Sequence, residues 1–431
     1  MNQTINGETL HSIVRELFPI FRSITGEGVR QTLAVLQKHC PVPIYVRSVR
    51  SGSQAFDWTV PAEWRVREAW IKTPSGEKIA DISVNNLHLV NYSQPVHQTF
   101  TLQELQPHLH SLPDQPDAIP YVTSYYKSSW GFCLTQQQRD TLIDGDYEVY
   151  IDSEHLADGE LNYGECYIAG RSEQEILIST YICHPSMANN ELSGPVIALA
   201  LIHWLSEQTT LHYSYRIVFT TETIGTLCFL QDNLQQLKQK VVAGFVLSCI
   251  GDEGHYSIVH SRYGHTLADR VANLVLEQNF AEQQQHYSFL ERGSDERQYC
   301  APGIDLPVVT LCRTKFGKFS QYHTSLDDLS LVTEQGLQGG FSYVKNCLEV
   351  LEKNRVYRAT CLGEPQLGKY NLYPSLSLKG SSRPTRAMTN VLAYCDGQND
   401  LLTLCQLTQL TYPEVQDILQ TLRQHHLVTT D

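Results

Sequence analysis

The chain has 431 residues, 42% of them hydrophobic and 18% charged, with a formal net charge of −14 at pH 7. This length supports two or three domains with full cores, and the composition is that of an ordinary globular protein. The acidic balance argues against a general electrostatic pull towards nucleic acid or anionic membrane. The opening MNQTINGETLHSIVRELF has no basic segment followed by an apolar one, so no signal peptide is expected. No run approaches about 18 apolar residues, so no membrane span is expected. Twelve cysteines, scattered singly and without CxxC pairs, read as reduced thiols in a cytoplasmic protein.

Residues 8–37 give two amphipathic helical patterns, split by Pro19 and the turn Ser23–Gly28. Residues 41–149 then turn rich in Trp, Tyr, Val and Thr, and segments such as REAWIKT, HLVNYS and YEVYID favour strands. They read as a β-rich insertion, because an α/β pattern resumes only afterwards. Strands are expected at Glu175–Ile182, Tyr215–Thr220, Ala243–Ile250 and Leu306–Leu311. Helices are expected at Pro195–Glu207, Gly225–Lys240, Thr266–Gln278 and Glu334–Lys353. Residues 1–40 and 150–360 thus form an α/β domain, with a mixed sheet flanked by helices.

The last unit, 376–431, carries three short helical patterns and a final LVTT strand, which resembles a winged helix. It holds four Lys or Arg (Lys379, Arg383, Arg386, Arg423) against five Asp or Glu (Asp396, Asp400, Glu414, Asp417, Asp431). With so few cations to neutralise phosphates, binding to nucleic acid is not expected. A packing role or a contact with a protein partner or a second copy is expected instead.

The most informative stretch is ILISTYICHPSMANNELSG, Ile176–Gly194. A buried strand runs into His184, then a turn with Asn190 and Glu191, then a helix for which Ser193 is a plausible N-cap and Pro195 a first-turn residue. In open α/β sheets, chemistry collects beyond the carboxyl ends of strands. The other strands lead likewise to Glu222 in TETIG, to Asp252 in GDEG, and to Tyr322 and His323 in YHTSLDD. The polar run ERGSDERQY adds Asp295, Glu296 and Arg297. Imidazoles and carboxylates at one sheet edge can hold a metal and supply a base. Each residue also has a plainer reading: His184 as a loop residue, Glu222 as a helix-dipole partner, Asp252 as a turn residue, Asp295 and Arg297 as a salt bridge, Asp327 and Asp328 as loop closers. Their conjunction at successive strand ends favours chemistry.

HPSMANNELSG, TETIG and YHTSLDD, in that order, resemble the zinc aminopeptidases with a co-catalytic metal pair. That resemblance implies His184 and His323 as ligands and Glu222 as general base. It also shows departures: Asn190 stands at the bridging aspartate position, Thr223 at the second glutamate, and Ser248 at the strand-end aspartate. Neutral groups there offset two dications poorly, so a single zinc is expected, held by His184, Glu191 and His323 with Asp252 or Asp295 near. FDWTVPAEW, LHLVNYS, YYKSSWGFCL and ERGSDERQYCAPGIDLP extend the resemblance over nearly the whole chain. They are similar to a bacterial aminopeptidase-like family associated with polysaccharide biosynthesis, with an inserted β domain, a C-terminal winged helix and no assigned substrate.

The expectation is a metal-dependent hydrolase that cleaves an amide bond of a small peptide. Glu222 moves the proton, and Asp295, Glu296, Arg297 and Tyr322 hold substrate. Trp58, Trp64, Trp70, Tyr125, Tyr126 and Trp130 either wall the cleft or fill the core of the insertion. Two alternatives stay open: an amidase or deacetylase acting on an amino-sugar or cell-wall amide, and a non-catalytic interaction protein on a peptidase fold.

Overall fold

The computed structural model describes residues 5–372 and 383–430. It divides into two compact units, Met1–Asp269 with Gln283–Tyr343, and Arg270–Glu282 with Val344–Asp431. Residues 376–382 of the expected last unit lie outside the described residues.

The first unit is built on an eight-stranded mixed sheet, in the order Tyr45–Arg50, Glu160–Ile168, Ser214–Thr220, Glu175–Tyr181, Val241–Leu247, Val308–Cys312, Tyr256–Val259, Gln284–Tyr287. The four strands starting at Ser214, Glu175, Val241 and Val308 run parallel and adjacent. Every residue of Glu175–Tyr181 and Ser214–Thr220 is buried, as continuous apolar runs covered on both faces require. Glu175 and Arg216 interrupt those runs but satisfy each other, with Nε 2.7 Å from Oε2. The helix Ser193–Ser206 is buried almost all round, which accounts for its lack of a polar face. The expected strands and helices lie within about three residues of their expected bounds, the largest difference being the strand expected at Ala243–Ile250, which ends at Leu247.

Ser193 is not the N-cap that its sequence position suggests. A π-helical turn, Ala188–Leu192, runs directly into the helix, and the Ser193 hydroxyl donates back to the Asn189 carbonyl. A single-turn π segment often marks a functional site.

The inserted region forms a four-stranded antiparallel sheet, Lys78–Ile79, Glu63–Lys72, Asp146–Leu156, Val96–Thr101. Its limits differ from 41–149: Tyr45–Arg50 joins the large sheet, and Asp146–Leu156 belongs to the inserted one. HLVNYS is not a strand, because its backbone is used in a 3-10 turn and isolated bridges. Trp64, Tyr92, Tyr147 and Val149 share one core with Leu177 and Val218 of the large sheet, so the insertion packs as part of this unit.

In the second unit, the helices Arg383–Ala393, Leu401–Thr408 and Tyr412–Gln424 accompany a three-stranded sheet, Asp396–Asp400, Val356–Ala359, Val428–Thr430. Val356–Ala359, placed by sequence in the α/β region, supplies the central strand. A Thr411–Glu414 capping box opens the last helix. No helix among the described residues is long and apolar enough to cross a membrane.

Candidate functional site

The carboxyl ends of the parallel strands open onto a cleft of about 420 Å³. His184, three residues beyond Tyr181, lies at its base and is buried. Its Nδ1 is 2.7 Å from Glu191 Oε2, and its Nε2 is 3.5 Å from Glu222 Oε2. Burial presses the imidazole towards its neutral form, but Glu191 and Glu222 outweigh that and raise its pKa.

Glu222 follows the strand Ser214–Thr220. The next residue, Thr223, has φ 65° and ψ −77°, and the Ile224 N–H closes back on the Glu222 carbonyl at 2.8 Å. This is the strained γ-turn, rare for a residue with a Cβ. Burial pushes the Glu222 carboxyl up to about 7, His184 opposes this, and Asp295 adds to it. A half-buried carboxyl near neutrality, open to the cleft, is suited to moving a proton.

His323, also at positive φ, lines the same cleft, its ring centroid 5.4 Å from that of His184. Burial and the neighbouring His184 hold it neutral, its pKa lowered to about 3. Tyr322 stacks behind it at 3.9 Å. The His323 loop is fixed by the insertion: the Tyr121 N–H donates to the His323 carbonyl, and the Ser325 N–H to that of Ile119. Tyr121 and Tyr125, joined through their hydroxyls, line the wall with Trp58 and Tyr126. Of the other aromatics, Trp64 and Trp70 are buried, and Trp130 stacks on His108.

Three ligand atoms that can share a metal ion come from Cys183, His184 and Glu191, all buried and within 4.8 Å of one another. Glu191 Oε1 and Asn190 Oδ1 are buried without a hydrogen-bond partner among the described residues, which leaves each free to face a cation. Sulfur, nitrogen and oxygen donors together suit zinc. The set fits one ion better than two: Asn190 aims its amide nitrogen at the Tyr181 hydroxyl, and the buried Arg22 guanidinium adds positive charge facing Glu191. His323 is not in this ligand group.

The carboxylates expected elsewhere in the site are engaged otherwise. Asp252 accepts from Asn189 Nδ2, Gly254 N, Thr314 N and Thr314 Oγ1 at 2.6–3.1 Å, which saturates it and keeps it from serving as a ligand. Glu296 accepts from Gly293 N, Ser294 N and Thr310 Oγ1 and is buried, so it does not meet substrate. Asp295 is also buried and holds Thr223 N at 2.8 Å. Only Arg297 of that run reaches the cleft, where it donates to Thr223 Oγ1.

Sequence reasoning missed three residues, the candidate ligand Cys183 along with Arg22 and Tyr121, and gave a fourth too small a part. Arg22, wholly buried, donates to the His184 carbonyl at 3.0 Å and the Leu17 carbonyl at 2.8 Å. Tyr121 contacts both histidine rings. Asp327, read as a loop closer, accepts the N–H groups of Asn189 and Asn190 at 2.6 and 2.9 Å and so shapes the π-turn.

Residues 11–354 match the family described as a domain of unknown function, DUF4910. The chain belongs to this family. The DUF4910 match is followed by one to a winged helix-turn-helix over residues 355–430, starting where the strand Val356–Ala359 begins. A Clostridium acetobutylicum protein named for polysaccharide biosynthesis and an aminopeptidase-like domain is 43% identical over 96% of this chain and 94% of its own. A crystal structure from that organism, named as a peptidase, superposes with TM-score 0.91 at 40% identity, covering 99% of this chain and 96% of the other. A zinc aminopeptidase from Bacillus subtilis superposes with TM-score 0.58 at 9% identity, covering 81% of this chain and 96% of its own, a likeness of fold alone. The DUF4910 domain here is therefore aminopeptidase-like in fold.

Proposed function

We propose that this DUF4910 protein hydrolyses an amide bond of a small substrate with the help of one zinc ion. The placement of Glu222 carries the reading: a half-buried carboxyl raised to about 7, held at a strained turn over the cleft and 3.5 Å from His184. His184, Glu191 and Cys183 are the residues suited to hold the ion, with His323 across the cleft. A zinc ion held there would supply Lewis acidity towards the scissile carbonyl and the attacking water. Glu222 takes the proton of the attacking water and delivers it to the leaving amine. Tyr121, Tyr125 and Trp58 exclude bulk water from one side.

The test combines metal content with activity. The full chain is loaded with zinc, analysed for bound metal, and assayed on aminoacyl amides and N-acetylated sugar amides. About one zinc per chain is expected, lost in His184→Ala. Glu222→Gln should retain zinc yet lose roughly 10²- to 10⁴-fold in turnover. No stoichiometric metal, together with activity unchanged in Glu222→Gln, overturns the reading, and no turnover of any substrate by the zinc-loaded native chain favours a non-catalytic interaction protein. The winged helix is read as a protein-contact module, and duplex DNA binding with a steep salt dependence would contradict that.

A further inference from the structure

A substrate of an aminopeptidase presents a free ammonium close to the scissile carbonyl, and that ammonium needs acceptors, a carboxylate above all. The cleft has none to spare. Asp295 and Glu296 are buried and spent on backbone and threonine donors. Asp252 is saturated by four donors. Glu191 is buried behind His184, with one oxygen on its Nδ1. Glu222 is left as the only carboxylate lining the cleft among the described residues, and proton transfer requires it.

The opposite charge is present and available. Arg297 is exposed, lines the cleft, donates to Thr223 Oγ1, and makes no ion pair within 4 Å among the described residues, although its charge is felt by Glu222 and Asp295. A guanidinium offers five N–H donors in a flat fork that matches a carboxylate. Thr223 is the residue after the base, so an anion on Arg297 lies beside the reacting amide. On the wall, Trp58 and Tyr126 are 41% and 54% exposed and meet edge to face at 5.8 Å, an apolar surface for an uncharged group.

We propose that the cleft takes an N-acylated anion: an amide whose amine is blocked by acylation and whose carboxylate sits on Arg297, with no free ammonium. This deepens the hydrolase reading and rests on it for the reaction, but the preference for charge is a binding property that can be measured without turnover.

Binding is measured by calorimetry on the zinc-loaded full chain carrying Glu222→Gln, with three matched probes: N-acetyl-leucine, N-acetyl-leucinamide and leucinamide. N-acetyl-leucine should bind at least about tenfold more tightly than either other probe, the worth of one charge-assisted hydrogen bond. Arg297→Met in the same background should bring N-acetyl-leucine and N-acetyl-leucinamide to within about twofold, and Arg297→Lys should keep part of the preference. An unchanged melting temperature shows that these variants still fold. Tightest binding by leucinamide, a preference that survives Arg297→Met, or no binding by any probe overturns the proposal. If the preference is found but active protein turns over none of the probes, the hydrolase reading is the one in difficulty.

Discussion

Asp295 shows how a residue that reads as a substrate ligand serves the site from behind. Its Oδ1 takes the N–H of Thr223, whose γ-turn fixes the direction of Glu222. A residue with a Cβ in that conformation costs about 1–3 kcal/mol, which the buried carboxylate helps to offset. Asp295→Asn should lower turnover about ten- to a hundredfold through a misplaced base, with little change in KM. Thr223→Gly relieves the strain, so adding Asp295→Asn to it should cost less than Asp295→Asn alone. Equal losses in both backgrounds, in turnover and in urea midpoint, would show that Asp295 does not act through the turn. The sequence marks Asp295, Glu296 and Asp252 alike as polar residues near strand ends. Only the count of donors on each carboxylate separates them, and those donors come from residues up to 75 positions away. Arg22 had no such mark, because its partner His184 lies 162 residues further on.

At the scale of elements, the π-turn Ala188–Leu192 and its helix were legible as a strand–turn–helix unit but not as a π-turn. The parallel strands show in sequence because an unbroken apolar run needs no partner to be recognised. The turn depends on Asp327, which takes two of its N–H groups, and on Asn189, which bridges Asp252 and Gly251. Gly194 lets the helix start where it does: a Cβ there would stand 2.3 Å from Thr180 Oγ1 and 2.4 Å from the Leu247 carbonyl. Neither the Leu247 backbone nor a hydroxyl bonded to it can yield easily. Gly194→Ala should therefore destabilise the chain by about 1–3 kcal/mol through overpacking. Tryptophan fluorescence in urea reads this directly, and an unchanged midpoint would mean that the helix can shift away from the sheet.

At the scale of the whole molecule, the two compact units call for separate probes of stability, since one transition need not describe both. All five tryptophans precede residue 205, so their fluorescence reports on the first unit alone. In the second unit, the Asp400 carboxylate caps the helix Leu401–Thr408 and pairs with the Arg270 fork at 2.7 and 3.0 Å. Burial raises this carboxyl, but Arg270, Thr403 and Asn354 outweigh it and bring it down to about 2. A folded-state pKa below that of an unfolded aspartate means stability that is present above pH of about 4 and lost as pH falls towards about 2. The difference corresponds to roughly 2 kcal/mol. Hydrogen exchange of the 401–408 amides measures it in place. Protection should fall from pH 6 to pH 3 in the native chain, and Asp400→Asn should be less protected at pH 6, with the gap closing as the pH is lowered. A gap of constant size across that range would trace the stabilisation to the shape of the cap rather than to its charge.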